Sequence, residues 1–529
     1  MTTESDTSEK PKESKKVTRR QFIAGTVGGV VVGAAIGAAA GSLAFPSTVT
    51  SKPWLPAKWD YTADVVVVGF GGAGGAAAYE ATAAGAKTII LERMTDGGGS
   101  TNISGGFVYM GGGTPLQKSF GITNDTRDDM YNYVLGAARQ GADADLIGVF
   151  CDKSLDLYDW LTNTIGVKWG TNYQALWPAP TVTTPGLRWS GEEFTSEFAA
   201  VATPAPRGHT PVQESGSGIF QPIKAAVVAQ GTQILYQALV QSLVVDEQTG
   251  RVIGVTASYN GNTINVKANK AVILTAGGFA FNKAMLAQYC PAFVNVPPLG
   301  TAGDDGSGIK MGQAVGADVH NMQYAFSISI ALYGMDEHYE GILVDQVGHR
   351  FVSEDHGEGI WPGILEVSSP TIKASYLIID SAIYSLISPA PAASNIAAQA
   401  NTIHDLAVAL NTAPGVLDDT VSLYNTNAAN HSDPEFNKLS RYVVSLATPP
   451  FYALAQPPGS TFTMGGLRIN TKAQVLNTAG TPIPGLYAAG RNSASVLAQG
   501  YQGSGHSVGS GLTFGRIAGQ NAATETPWS

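Results

Sequence analysis

The sequence predicts an α/β protein in which a parallel sheet is interrupted by a separate α+β insertion. Three observations predict it: a strand-like run entering a glycine turn over Val65–Gly74, two later strand-to-glycine transitions at Ala271–Phe279 and Gly485–Arg491, and a change of texture between Pro297 and Ala447. Four consecutive valines, Val65 to Val68, suit a strand buried on both faces of a parallel sheet. They run into Gly69-Phe70-Gly71-Gly72-Ala73-Gly74 and an Ala/Gly-rich helix to Ala84, an arrangement that offers a helix N-terminus to a pyrophosphate. In a chain with 63 glycines that pattern alone is weak, and its context carries it. The next strand, Lys87 to Leu91, ends at Glu92, where a carboxylate can accept both hydroxyls of an adenosine ribose.

The remaining elements follow in order. Gly97 to Gly106 is too glycine-rich for regular structure and too short for a linker, which makes it a binding loop. Helical patterns occupy Asp125–Gly136 and Asp143–Leu161, and a hairpin over Leu243–Val266 turns at Asp246–Gly250 and Asn260–Asn262. The apolar run Ala271–Thr275 then returns to the first sheet, as does Gly485–Ala489, and Gly509–Asn521 reads as a closing helix. This divides the chain into a leader (1–45), a nucleotide-binding part (60–296), an inserted cap (297–447) and a C-terminal return (448–529).

Composition narrows the function. A net charge of −10 with no basic cluster beyond the first twenty residues argues against a nucleic-acid partner. Two cysteines, Cys151 and Cys290, cannot make a metal or iron–sulfur ligand set, and there is no CxxCH for haem, so redox chemistry falls to an organic cofactor. The N-terminus reads as an address: a polar stretch, then Thr18-Arg19-Arg20-Gln21-Phe22-Ile23, then an uncharged Gly/Ala/Val run to Phe45. That order is a twin-arginine export signal, a route for proteins already folded around a cofactor, and it points to a periplasmic or extracytoplasmic location. The segment is cleavable after Ser42-Leu43-Ala44 or long enough to remain as an anchor.

Seven motifs together resemble the flavoproteins of the fumarate reductase and 3-ketosteroid dehydrogenase superfamily. They are VVVVGFGGAGGAAA, ILERM with GGGSTNISGG, AVILTAGGF, TAGDDGSGIKMGQAVGA, GHRFVSE, TMGGLRIN and GLYAAGRNSAS, spread over roughly residues 60 to 525 in the family's order. The resemblance implies a Rossmann-like FAD-binding domain of the GR2 flavoprotein type, interrupted by an α+β cap. FAD would lie extended on Gly69, Gly71, Gly72, Ala73 and Gly74, with the adenosine near Glu92 and Arg93. The loop Gly99, Ser100, Thr101, Ser104, Gly105 and Gly106, the turn Ala276, Gly277 and Gly278, and Gly490, Arg491, Ser507 and Val508 would complete the site. No histidine stands near Ser100–Ser104, where some relatives attach the flavin, so the resemblance implies non-covalent FAD.

Departures from the family pattern choose the branch. Where fumarate reductases carry a cap arginine, substrate histidines and a late arginine, this chain has Glu358, Thr461-Phe462 and Ser507. A small dicarboxylate needs cationic partners, so its reduction is disfavoured. Tyr501-Gln502-Gly503-Ser504-Gly505 instead resembles the YxGxG pattern with which ketosteroid dehydrogenases hold the substrate ketone, through the hydroxyl of Tyr501 and the N–H of Gly505. The base tyrosine of Δ1-type enzymes falls at Glu358, an additional early tyrosine falls at Phe150, and Glu358 and then His356 are the proton-transfer candidates. Phe281, Phe326, Trp361, Phe462 and Leu497 are candidate lining, with Tyr324 and Tyr333 further cap candidates.

The expected chemistry is dehydrogenation next to a ketone, or its reverse, on a bulky apolar ketone or enone such as a 3-ketosteroid, with hydride moving between a substrate carbon and flavin N5. Two other readings stay open: an exported enoate or enone reductase drawing on a membrane-associated electron donor, and a flavin electron-transfer protein without a substrate of its own.

Overall fold

The computed structural model describes residues 54–173, 185–298, 300–329, 336–356, 360–388, 390–459 and 462–528. The leader, Glu358, Tyr333 and Thr461 lie outside the described residues. Strand β1 (Tyr61–Val68) is central: it pairs in parallel with β2 (Thr88–Glu92) on one side. On the other side it pairs in parallel with the last residues of a long strand, Asn262–Leu274. Val65, Val66 and Val67 are wholly buried, each such side chain contributing roughly 1.5–3 kcal/mol on leaving water. That two-sided burial is why the run does not alternate with polar residues.

β3 (Gln233–Tyr236) extends the sheet beyond β2. β4 (Leu239–Asp246), β5 (Arg251–Tyr259) and β6 (Asn262–Leu274) form an antiparallel meander with turns where the sequence placed them. β6 changes partners along its length: Asn262–Lys267 bond to β5, whereas Val272–Leu274 lie between β1 and the late strand Pro482–Ala488. The three strands that end in glycine turns are therefore neighbours in one sheet, and all three turns open at the same edge.

Helix α1 (Gly72–Ala83) packs against the closing helix, His506–Thr524, through small residues. A Cβ on Gly515 or Gly519 would overlap the Ala73 or Ala77 carbonyl, so the two backbones touch directly. Among the described residues no helix is long and apolar enough to cross a membrane.

The insertion has its own core, from Tyr339 to Leu454, around the antiparallel strands β7 (Ile342–Asp345), β8 (Ser375–Asp380), β9 (Ile396–Ala400) and β10 (Phe451–Ala455) in the order β7-β8-β10-β9. Strand pairings run across both expected edges of the cap. Residues 307–325 belong to the main core, because Val319 and His320 pair with Leu467 and Gly466. Strand β10 lies beyond Ala447 yet pairs with β8 and β9. The GHRFVSE stretch closes the cap core from inside: buried Arg350 bridges Glu354 at 2.9 Å and Asp433 at 3.0 Å, and Lys438 reaches Glu354 at 3.1 Å.

Candidate active site

A cavity of about 890 Å³ runs from the Gly69 turn to the cap. Of the residues singled out in the sequence, Gly69, Gly71, Gly72, Ala73, Glu92, Arg93, Gly99, Ser100, Thr101, Ser104, Gly105, Ala276, Gly277, Gly490, Arg491, Tyr501, Gly505, Ser507 and Val508 all line it. Gly74, Gly106 and Gly278 do not, and each is small for a packing reason. A Cβ on Gly74 would overlap the Gly69 carbonyl, one on Gly106 (φ +79°) would press on the Ser215 backbone, and one on Gly278 would overlap the Thr463 hydroxyl.

The nucleotide end is built from backbone. Gly69 adopts φ +98°, open to glycine at little cost, and the chain enters α1 behind Gly71 with no side-chain cap. An uncapped helix start that lines the cavity is suited to an anionic pyrophosphate. Glu92 is buried and its carboxylate accepts the N–H groups of Phe70 at 2.7 Å and Met94 at 2.8 Å, which fixes it at the end of β2 with lone pairs left for ribose hydroxyls. The loop Gly97–Gly106 departs slightly from expectation: Gly99–Asn102 makes one helical turn, and Thr101 Oγ1 accepts the Gly72 N–H at 3.2 Å.

Sequence reasoning missed the organiser of the middle of the cavity. Asp304 accepts the Ser100 hydroxyl at 2.9 Å, the Arg491 guanidinium at 2.6 Å and the Gly278 N–H at 3.1 Å, so three distant segments converge on one carboxylate. The signal was present in the TAGDDGSG stretch, which was noted as a motif without a role for its acids. Asn492 is similar, its side-chain oxygen accepting the Ala276 N–H at 2.8 Å.

The cap end is apolar. Phe326, Phe462 and Tyr501 form an aromatic group with ring centroids 4.7–5.3 Å apart, beside Ile328 and Ile360. Burial pushes the Tyr501 hydroxyl up to about 12, with nearby backbone N–H groups working the other way, so it stays a neutral donor at ordinary pH. Its oxygen accepts the Ser507 N–H at 3.3 Å, leaving its own proton for another acceptor. Gly505, φ +100°, stands at the start of the closing helix, where partial positive charge collects. Among the described residues the two arginines of the cavity wall are both paired, Arg93 with Asp305 at 2.7 Å and Arg491 with Asp304.

The other lining candidates separate. Phe281, Leu497, Tyr324 and Trp361 are not in the cavity wall, and Phe150 is wholly buried against the His506 ring at 5.0 Å. His356 is also outside the wall: its Nδ1 lies 3.5 Å from Glu192. Burial, the largest influence on His356, opposes its protonation, and the Glu192 and Asp355 carboxylates together outweigh it, so the ring's pKa is raised above 6.5.

Behind the Tyr501 loop lies a buried polar group that the sequence did not announce. Tyr109 donates its N–H to the Gly505 carbonyl at 3.2 Å and its hydroxyl to Glu193 at 2.9 Å, and Arg207 pairs with Asp125 at 2.7 Å with neither exposed. Burial raises Glu193 to about 7, against the pull of Arg207 and of its hydrogen bonds. A carboxyl raised from 4.5 binds its proton more tightly folded than unfolded, so its contribution is full below 4.5 and is lost as pH rises through about 7. The stability of the wild type relative to Glu193→Gln should therefore fall across that window, by on the order of 3 kcal/mol at most, in urea unfolding at a series of pH values. A flat difference would mean that Glu193 stays ionised throughout.

A glycine turn against an uncapped helix, an acid closing the second strand, and two further glycine turns at one sheet edge define a dinucleotide-binding flavoprotein fold. A family model described as FAD binding domain matches residues 64–508, and the chain belongs to that family. It is 30% identical over 491 residues to the urocanate reductase of Eggerthella lenta, covering 89% of this chain and 76% of that protein. It is 27% identical over 513 residues to the 3-oxo-5-alpha-steroid 4-dehydrogenase of Comamonas testosteroni, covering 82% and 93%. The crystal structure of the 3-ketosteroid-delta4-(5alpha)-dehydrogenase of Rhodococcus jostii RHA1 in complex with 4-androstene-3,17-dione superposes with a TM-score of 0.81 at 37% identity, covering 89% of this chain and 98% of that one. The protein is thus an FAD-dependent oxidoreductase of the fumarate reductase superfamily.

Proposed function

We propose that this oxidoreductase adds or removes hydrogen across a carbon–carbon bond next to a ketone, on a bulky apolar substrate of the 3-ketosteroid type. The observation that carries the reading is the Tyr501 hydroxyl: buried among Phe326 and Phe462, supplied with a backbone N–H, and free to donate beside the helix start at Gly505. A ketone oxygen placed there receives two donors, which stabilises the enolate formed as a neighbouring C–H loses its proton. Bound FAD, held without a covalent link, supplies the two-electron chemistry. Glu358 is the proposed proton-transfer group, with His356 second. The 37% identity to a steroid dehydrogenase supports the substrate class.

The 30% identity to a urocanate reductase supports a second reading, an exported enoate reductase fed by an external, membrane-associated donor. Against it, both arginines of the cavity wall are already ion-paired, leaving a substrate carboxylate without a cation among the described residues. In either case we place the protein outside the cytoplasm on the strength of the twin-arginine leader. Incubation with a saturated 3-ketosteroid and an artificial electron acceptor tests the reading. A conjugated enone detected by ultraviolet absorbance and mass supports it, and its absence together with turnover of an unsaturated acid would move the protein to the second.

A further inference from the structure

The loop that carries Tyr501 is gripped by two backbone segments. Ala138 and Gln140 accept the N–H groups of Gly500 at 2.9 Å and Gln499 at 3.0 Å. From the other side, Ser190 accepts the Ser504 N–H at 2.6 Å, and the Glu192 N–H donates to the Tyr133 hydroxyl at 2.6 Å, which in turn donates to the Gln502 carbonyl at 2.7 Å. Side chains join the two grips: Arg139 lies between Ala138 and Gln140, and its guanidinium pairs with Glu192 at 3.1 Å.

The same pair also reaches the insertion. Glu192 faces His356 at 3.5 Å, and the Arg139 guanidinium stacks 4.0 Å above the Trp361 ring, whose neighbour Ile360 lines the cavity. Glu192 is only 4% exposed, so this charge is shielded from the salt that weakens surface pairs. One residue thus reaches the ketone-holding loop through its backbone N–H and the Tyr133 hydroxyl, and the insertion through its carboxylate.

We propose that Glu192 is a positioning residue that sets the insertion in register with the Tyr501 loop, so that the groups that hold the ketone and those that move the proton are assembled as one unit. The proposal rests on the ketone-side reading of the site. Glu192 does not itself line the cavity, and its effect passes through Tyr133, Arg139 and His356.

The test compares FAD-loaded wild type with Glu192→Gln, which keeps size and loses charge, and Glu192→Asp, which keeps charge. Three quantities are read: the steroid dissociation constant from the flavin spectrum, the rate of flavin reduction at saturating 3-ketosteroid, and the His356 ring titration by NMR, which needs no substrate. His356 is faced by Glu192, Asp355 and Arg139, so removing the Glu192 charge leaves burial less opposed and lowers its titration. The expected result for Glu192→Gln is a rate about tenfold lower with affinity changed less than about twofold, a lowered His356 titration, and recovery of both in Glu192→Asp. An unchanged His356 titration, or equal loss of affinity and rate in both variants, would overturn the proposal. If the wild-type flavin ignores ketosteroids, the functional reading fails, and the His356 titration in the two variants still decides the coupling. If the Gln variant does not fold, Glu192→Asp carries the test: a His356 titration held near the wild-type value supports the proposal, and a clearly lowered one overturns it.

Discussion

Replacing Tyr501 with phenylalanine is expected to slow flavin reduction by a saturated 3-ketosteroid by about 10²–10³-fold, the cost of removing one donor aimed at a developing oxyanion, while FAD stays bound. The ring packs against both Phe326 and Phe462, with centroids 4.7 and 5.3 Å away, and phenylalanine keeps both contacts. What it loses is the single hydroxyl whose oxygen takes the Ser507 N–H and whose proton is left for another acceptor. Stopped-flow reduction at saturating steroid separates the outcomes. A rate loss with a normal flavin spectrum supports the donor role, whereas a wild-type rate would make Tyr501 part of the apolar wall only.

The second large effect is a division of labour between two glycines of the first turn. Gly71 has an ordinary φ of −89° and only the Gly98 carbonyl, at 3.7 Å, near where a Cβ would stand, so Gly71→Ala leaves the protein chain itself unstrained. Gly71 lines the cavity, so the added methyl falls where the pyrophosphate approaches, and FAD affinity should drop about tenfold to a hundredfold. Gly74 shows the opposite pattern. Its Cβ would overlap the Gly69 carbonyl and meet Thr275 Oγ1 at 2.7 Å, so Gly74→Ala strains the strand-to-helix joint by about 1–3 kcal/mol or more. Apoprotein unfolding and FAD titration, measured on both variants, should show Gly71→Ala with wild-type apoprotein stability and weak FAD, and Gly74→Ala destabilised before any cofactor is added. Equal behaviour in the two assays would mean that the turn does not cradle a phosphate.

Much of this was legible in the sequence because local rules and the fold agree. A two-sided buried strand, a glycine turn and a closing acid are all set within the thirty or so residues of one βαβ unit, and the structure places them as that unit requires. The cap edges were not legible, because Val319 pairs with Leu467 and Phe451 with Asp380, partners remote in sequence. Glu192 and Glu193 were missed for a different reason. Nothing local marks the two acids after Gly191, and only the tertiary fold brings Arg139, Tyr109 and Arg207 to them and buries them. Asp304 was within a noted motif, yet its role exists only where Ser100, Gly278 and Arg491 meet.

The central claim is that the cavity takes a ketone, held by Tyr501 and Gly505, rather than a carboxylate. Anaerobic titration of the FAD-loaded protein addresses it directly, with a saturated 3-ketosteroid added to the oxidised form and fumarate or urocanate added to the pre-reduced form. The account predicts that the steroid bleaches the visible flavin band while the two acids leave the reduced flavin unchanged. Rapid reoxidation by either acid, with no bleaching by the steroid, would contradict it.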